Sequence, residues 1–298
     1  MVHLVRPPFS VFAAFVGAAL VSQAAAPIQA FPPLKAETSA GWSQYTAATE
    51  QRIGTELKAT DRFLALDFTS TGAGEREAVL RSEMPVAQMF STNAKGKTID
   101  VPDGWVHHWR GAVLIPKARL ADVFKQLQER VPGAGQGDVL ASKILSPAPA
   151  MRVYLKIHRT KAMWTFVYNT EHVVTFLPRD ATHGSSTSIA VKVAELGDPG
   201  TPGERELAPG SDNGFLWRLN AYWRYVQVPE GVIAECESVS LSREVGFPFG
   251  TIAGMVARGE ARESMVRALV NLRAFFATPA RTPPASSPAR QQWPRAGR

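Results

Sequence analysis

From Met151 to Arg243 the chain runs through one strand-like segment after another, and then turns into a single long helical stretch. MRVYLKIHR, MWTFVYNTEHVVTFL and SSTSIAVKVAEL are followed by RLNAYWRYVQV and GVIAECESVSLSR, all rich in β-branched and aromatic residues. Successive strands of this kind pair antiparallel as neighbours, and their apolar side needs a covering layer. TIAGMVARGEARESMVRALVNLRAFF (251–276) can supply it. Met265, Leu269, Leu272 and Phe276 fall along one face there, with Arg262, Arg267 and Arg273 largely off it. The expected fold class is α+β, an antiparallel sheet packed against helices.

Upstream, ETSAGWSQYTAATEQRIGTEL (37–57) predicts a helix, because Trp42, Tyr45, Thr49, Ile53 and Leu57 recur near helical spacing. RFLALDF (62–68) predicts a strand. EAVLRSEMPVAQMF is expected to be extended, since Pro85 would interrupt a helix. IDVPDGWVHHWRGAVLIP (99–116) predicts a bent strand with a break at Asp103-Gly104. In KARLADVFKQLQER, Leu120, Val123, Phe124 and Leu127 mark an amphipathic helix. VPGAGQGDVLASK follows it as a glycine-rich insert, and GDPGTPGERELAPGSDNG (197–214) is a long polar connection.

The hairpin around Pro229-Glu230-Gly231 permits two registers. A three-residue loop, with Pro229 opening the turn and Gly231 at a left-handed position, sets Val228 opposite Val232. Arg218, Asn220, Tyr222 and Arg224 then face Ser242, Ser240, Ser238 and Cys236 on a polar side. Leu219, Ala221, Trp223 and Tyr225 face Leu241, Val239, Glu237 and Glu235 on an apolar side. A two-residue loop shifts the pairing by one and mixes the two classes. Since such a sheet can leave one face wet, the three-residue loop is expected, and Glu235 and Glu237 are expected on the inward face beside Trp223 and Tyr225. Glu237, the deeper of the two, would be an internal polar anchor or half of a salt bridge.

The N-terminal thirty residues carry Arg6, an apolar run from Phe12 to Val21 and small residues from Ser22 to Ala30. That is the pattern of a signal peptide, and the run is shorter than the roughly 20 apolar residues of a membrane span. The mature protein is expected in the periplasm or secreted. Cys236 is the only cysteine, so no intramolecular disulfide is available. Of the net charge of +7, Arg6 leaves with the signal and four arginines sit in the last 21 residues, which leaves +2 for the folded part. A basic nucleic-acid surface is not supported. Residues 278–298, rich in Pro, Ser and Arg, are expected to be a disordered tail. Its charge would favour peripheral contact with an anionic membrane only weakly, and a passive tail is the plainer expectation.

From about Trp105 to Phe276 this pattern resembles the START-like superfamily, also called SRPBCC or helix-grip, which includes polyketide cyclases and lipid-transfer domains. GWVHHWRGAVLIP, YNTEHVV, GFLWRLNAYWRY and GVIAECESVSLSRE, with WSQYTAATEQRIGTEL upstream, are similar more narrowly to a family of secreted bacterial proteins of this class with no assigned activity. The resemblance implies a helix-grip fold, a curved sheet around the C-terminal helix, spanning residues 99–277. Residues 31–98 would be an N-terminal extension of a helix and a strand. The resemblance also implies an apolar cavity for a hydrophobic small molecule or lipid. Its expected lining is Trp105, His107, Trp217, Leu219, Trp223, Tyr225, Glu237 and Val239, with Met265, Leu269 and Leu272 from the helix.

Other chemistry is thinly supported. His107 and His108 are adjacent on a strand and point to opposite faces, and no His-Glu-x-x-His or cysteine pair is present, so no metal and no cofactor is expected. No nucleophile elbow or phosphate loop appears. Two alternatives to a binding protein remain at this stage. One is a cyclase- or hydrolase-like enzyme using Glu237 and His107 as an acid–base pair. The other is an interaction module whose exposed Arg218-Asn220-Tyr222-Arg224 row meets a protein partner.

Overall fold

A computed structural model describes residues 34–133, 137–149, 151–161, 164–208, 210–243 and 250–277. The expected signal peptide (1–30) and tail (278–298) lie outside the described residues. The chain opens with α1 (Ala36–Glu56), a 3-10 turn (Ala65–Phe68) and α2 (Gly72–Leu80). The short β1 (Val86–Gln88), the long β2 (Gly104–Pro116) and α3 (Leu120–Glu129) follow. Then come β3 (Val139–Ser146), β4 (Met151–Lys161), β5 (Trp164–Pro178), β6 (His183–Gly197) and the two-residue β7 (Arg205–Glu206). The hairpin β8 (Arg218–Val228) and β9 (Gly231–Arg243) precede α4 (Gly250–Ala277). The strands form one antiparallel sheet in the order β1-β2-β9-β8-β6-β5-β4-β3, with β7 attached to β6. No helix among the described residues is long and apolar enough to cross a membrane.

The α+β class, the N-terminal helix and the C-terminal helix agree with the sequence. Three local readings do not. Residues 62–68 form no strand, because Asp67 Oδ2 accepts the backbone N–H groups of Phe63 and Leu64 at 3.1 and 2.9 Å and curls the segment into a turn. The stretch after it is helical to Leu80, and Pro85 lies beyond that helix, leaving only Val86–Gln88 extended. The glycine-rich insert ends in β3, an edge strand paired with β4.

The hairpin takes the register that the sequence argued against. Val228 pairs with Gly231, so Pro229 and Glu230 alone form the loop, and Trp223 stands opposite Cys236 rather than Glu237. Gly231 is needed there for a different reason: its φ is +151°, and a Cβ would lie 2.1 Å from the carbonyl oxygen of Ile115. Its neighbour Glu230 accepts the Lys117 N–H at 2.7 Å, tying the loop to the end of β2. The premise of one wet face was the error. Both faces of the hairpin are covered, so each can carry polar residues provided these find partners.

On the concave face α3 and α4 pack on β2, β8 and β9 through Val113, Leu120, Phe124, Tyr225, Met265, Leu269 and Leu272. The closest approach is at Gly111, where a Cβ would meet Leu269 Cδ1 at 2.8 Å and Met265 Cγ at 3.0 Å. A side chain at that position would push α4 off the sheet. On the convex face α1 buries Trp42, Tyr45 and Ile53 against Trp217, Tyr222, Val239 and Leu241. The turn and α2 add Phe63, Leu64, Leu66 and Val79 over Ala112, Leu114, Val226 and Ile233. The N-terminal extension is thus a second layer, and the sheet lies between it and α4.

Candidate functional site

The two-residue loop sorts the hairpin side chains by face. Asn220, Tyr222 and Arg224 share the convex side with Val239, Glu237 and Glu235, whereas Leu219, Ala221 and Trp223 share the concave side with Ser240, Ser238 and Cys236. In β2, Trp105, His107 and Trp109 alternate with the convex His108 and Arg110.

The convex layer is a buried polar network. Glu237 Oε1 takes His108 Nε2–H at 2.6 Å and also pairs with Arg52 of α1. His108 Nδ1 lies 2.9 Å from the Tyr45 hydroxyl, which accepts the Ser91 N–H at 3.1 Å. A chain of bonds therefore runs from Ser91 through Tyr45 and His108 to Glu237. Burial raises the Glu237 pKa, but the hydrogen bond and charge of His108, with Arg52 and Arg224, outweigh it and hold this carboxyl below its usual range. Glu235 accepts the Ala65 and Leu66 N–H groups at 2.5 and 3.0 Å and meets Arg110 at 3.3 Å. Arg224 donates to Glu56 at 2.5 Å and to the Phe63 carbonyl at 3.0 Å. This arrangement fastens the extension to the sheet, and the pockets described below do not include it.

Two adjoining pockets of about 250 and 260 Å³ lie between the concave face and α4. They share Leu155, His172, Ser188, Trp223 and Ala268. In the first, Trp109, Phe215, Leu216, Leu219 and Met265 form apolar walls, faced by His107 and by Ser238, Ser240 and Ser242 of β9. The second, lined by Met151, Val153, Val174, Phe176, Tyr225 and Leu272, is more uniformly apolar. Trp223 stands between the two and stacks on Tyr225 at 6.2 Å between ring centres.

Buried His172 sits at the waist. Thr170 Oγ1 donates to the Leu155 carbonyl at 3.2 Å, so it accepts from His172 Nε2–H at 3.0 Å. That leaves Nδ1 to accept from Ser188 Oγ at 3.2 Å. Burial, and then the charge of Arg159, push the His172 pKa down to about 4, so the ring is neutral at neutral pH. Such a histidine is a weak base. Cys236 is buried on the same wall, and burial followed by the charges of Glu237 and Glu235 pushes its thiol well above the usual range.

Of the residues expected to line a cavity, His107, Leu219, Trp223, Tyr225, Met265 and Leu272 line one or other pocket. Trp105 is on the concave parity but lines neither, and Leu269 is spent on the contact with Gly111. Trp217, Val239 and Glu237 are corrected to the convex layer: the first two pack under α1, and Glu237 points to His108 and Arg52. The sheet therefore separates Glu237 from His107, and the acid–base pair drawn from them is removed. The Arg218-Asn220-Tyr222-Arg224 row is not an exposed surface, since Asn220, Tyr222 and Arg224 are buried beneath the chain's own extension. The serine row, Trp109, Leu155, His172 and Ser188 were missed. The shifted register had sent the serines outward, and the partners from β4 to β6 depend on long-range strand order. No group of His, Cys, Asp and Glu able to hold a metal ion occurs among the described residues.

No protein-family model matches the chain, and no curated protein matches it. Among solved structures it is similar to a STAR-related lipid transfer protein from Xanthomonas axonopodis, at 17% identity and a TM-score of 0.37, over 64% of this chain and 99% of that one. It is also similar to human STARD10, at 8% identity and a TM-score of 0.36, over 70% and 80% of the two chains. A third is the Zhui aromatase/cyclase from Streptomyces sp. R1128, at 15% identity and a TM-score of 0.32, over 58% and 94%. The helix-grip arrangement of this chain is evident from its own strand order and from the long helix laid across its concave face.

Proposed function

We propose that this protein is a binding protein that holds a hydrophobic small molecule or lipid between its concave sheet face and α4. The observation that carries the reading is the pair of adjoining pockets, about 250 and 260 Å³, with aromatic and aliphatic walls and a few polar groups on one side. Ligand sites are typically of this kind, concave and mainly apolar with a few placed polar groups. With residues 1–30 read as a signal peptide, the carrier works in the periplasm or outside the cell. Native mass spectrometry of the purified protein, followed by organic extraction, tests the binding function. A co-purifying apolar ligand, or saturable uptake of an apolar fluorescent probe, is the expected result. Absence of both overturns the reading. N-terminal sequencing of protein recovered from the periplasmic fraction tests the compartment.

A further inference from the structure

Resting on that binding function, we infer that the ligand is an uncharged, mainly hydrocarbon molecule carrying hydroxyl or carbonyl oxygens along one edge. The pockets divide their polar groups unevenly. Ser238, Ser240 and Ser242 line the first pocket from alternate positions of β9, which spaces them about 7 Å apart along the strand. Ser242 Oγ is engaged with His107 Nε2 at 2.9 Å. Ser238 and Ser240 have no side-chain hydrogen-bond partner among the described residues. Both serines are only partly buried, so their hydroxyls face the pocket space and are available to a ligand oxygen. The opposite walls, Phe215, Leu219 and Met265, offer hydrocarbon contact only.

Formal charge is directed away from the same space. Arg159 is the one charged side chain lining either pocket among the described residues. Its guanidinium donates to Asp138 at 2.7 Å. Asp138 also takes Arg267 Nε and Ser264 Oγ, both at 2.6 Å, and Arg267 lies 3.7 Å from Glu263. Arg159 and Arg267 thus share the one close carboxylate, Asp138, and Glu263 is an exposed and more distant neighbour. His172 is neutral, Cys236 keeps its proton, and Glu235 and Glu237 project through to the convex layer. An ammonium drawn into the pockets would find no counter-charge to offset its lost hydration, and a carboxylate would have to compete with Asp138 for Arg159. An alcohol or ketone would meet the two unengaged serines.

The test is displacement of the uncharged probe N-phenyl-1-naphthylamine from the full chain at about pH 8. The competitors are dodecan-1-ol, dodecanoate and dodecyltrimethylammonium, matched in chain length. Dodecan-1-ol is expected to displace the probe at a concentration at least about tenfold below that of either ion. A Ser238→Ala, Ser240→Ala double variant is expected to weaken dodecan-1-ol about threefold to tenfold relative to the probe, read as the ratio of the two dissociation constants. Equal or tighter binding of either ion overturns the inference, while probe uptake leaves the binding function standing. Undiminished dodecan-1-ol affinity in the double variant overturns the role of the serine edge. Failure of the probe to bind, together with no co-purifying apolar ligand, overturns both readings.

Discussion

Trp223 faces Cys236 across the β8–β9 ladder, so the indole and the thiol share the concave wall while the flanking Glu235 and Glu237 point the other way. That one pairing separates the molecule's two polar systems. The carboxylates fasten the N-terminal extension to the convex face, and the serines and histidines look into the pockets.

Trp223 lines both pockets and stacks on Tyr225. Part of its ring already faces empty space, so Trp223→Ala should cost less than the full burial of a tryptophan, about 2 kcal/mol. Urea denaturation should show this loss. A probe titration should show altered affinity as well, because the two pockets merge.

Glu237 acts on stability and not on the ligand. Glu237→Ala leaves Arg52 and the buried His108 without their carboxylate. The expected loss is about 3–5 kcal/mol, the cost of stranding one partner of a buried pair. Probe affinity measured on the folded protein should stay within about twofold of the parent. A large loss of affinity with little loss of stability would place Glu237 in the ligand site.

Gly231→Ala should be among the more damaging single-methyl additions in the chain. The new Cβ would meet the Ile115 carbonyl oxygen at 2.1 Å, in a backbone conformation with φ +151°. A loss of about 2 kcal/mol or more is expected from strain and displaced pairing. A shift in melting temperature reports it.

His172 predicts a pH dependence. Its folded pKa is depressed to about 4 from 6.5, chiefly by burial. Between those values the unfolded chain takes up a proton that the folded chain refuses, so stability falls as pH falls through the window. The contribution lost by about pH 4 is on the order of 3 kcal/mol. His172→Gln should flatten the melting-temperature profile between about pH 6.5 and 4.5 relative to the parent, and an unchanged slope would contradict the neutral assignment.

Cys236, buried and with its thiol pKa raised, should resist alkylation. N-ethylmaleimide at about pH 8 should react at least about 100-fold more slowly with the folded protein than with the urea-unfolded chain. Rapid stoichiometric labelling of the folded protein would show the wall to be open.

Periodicity was enough for the α+β class, an antiparallel sheet packed against helices. The 3.6-residue spacing of Trp42, Tyr45 and Ile53 and of Leu120, Val123 and Phe124 placed α1 and α3, and the strand-like runs after Met151 placed the sheet. Local pattern also put Trp223 and Tyr225 on one side and Arg224 on the other, because alternation within a single strand does not depend on its neighbour. The 62–68 segment was illegible for the opposite reason. Its apolar run suits a strand, but Asp67 and the distant Glu235 claim its backbone N–H groups.

The amino-acid order determined α1, β2, α3, β4 to β6, β8, β9 and α4, their apolar stripes and the face each β8 residue shares with its own strand mates. Which β9 residues join them was decided only in three dimensions. A one-residue difference in loop length reverses every β9 side chain, and its cost depends on what lies against each face. Here α1, the 3-10 turn and α2 cover the side that would otherwise meet water, and their arginines and backbone donors accept Glu235 and Glu237 there. Those partners lie about 170 residues away in the chain. Strand alternation carries no information about groups so distant, and only the folded arrangement brings them together.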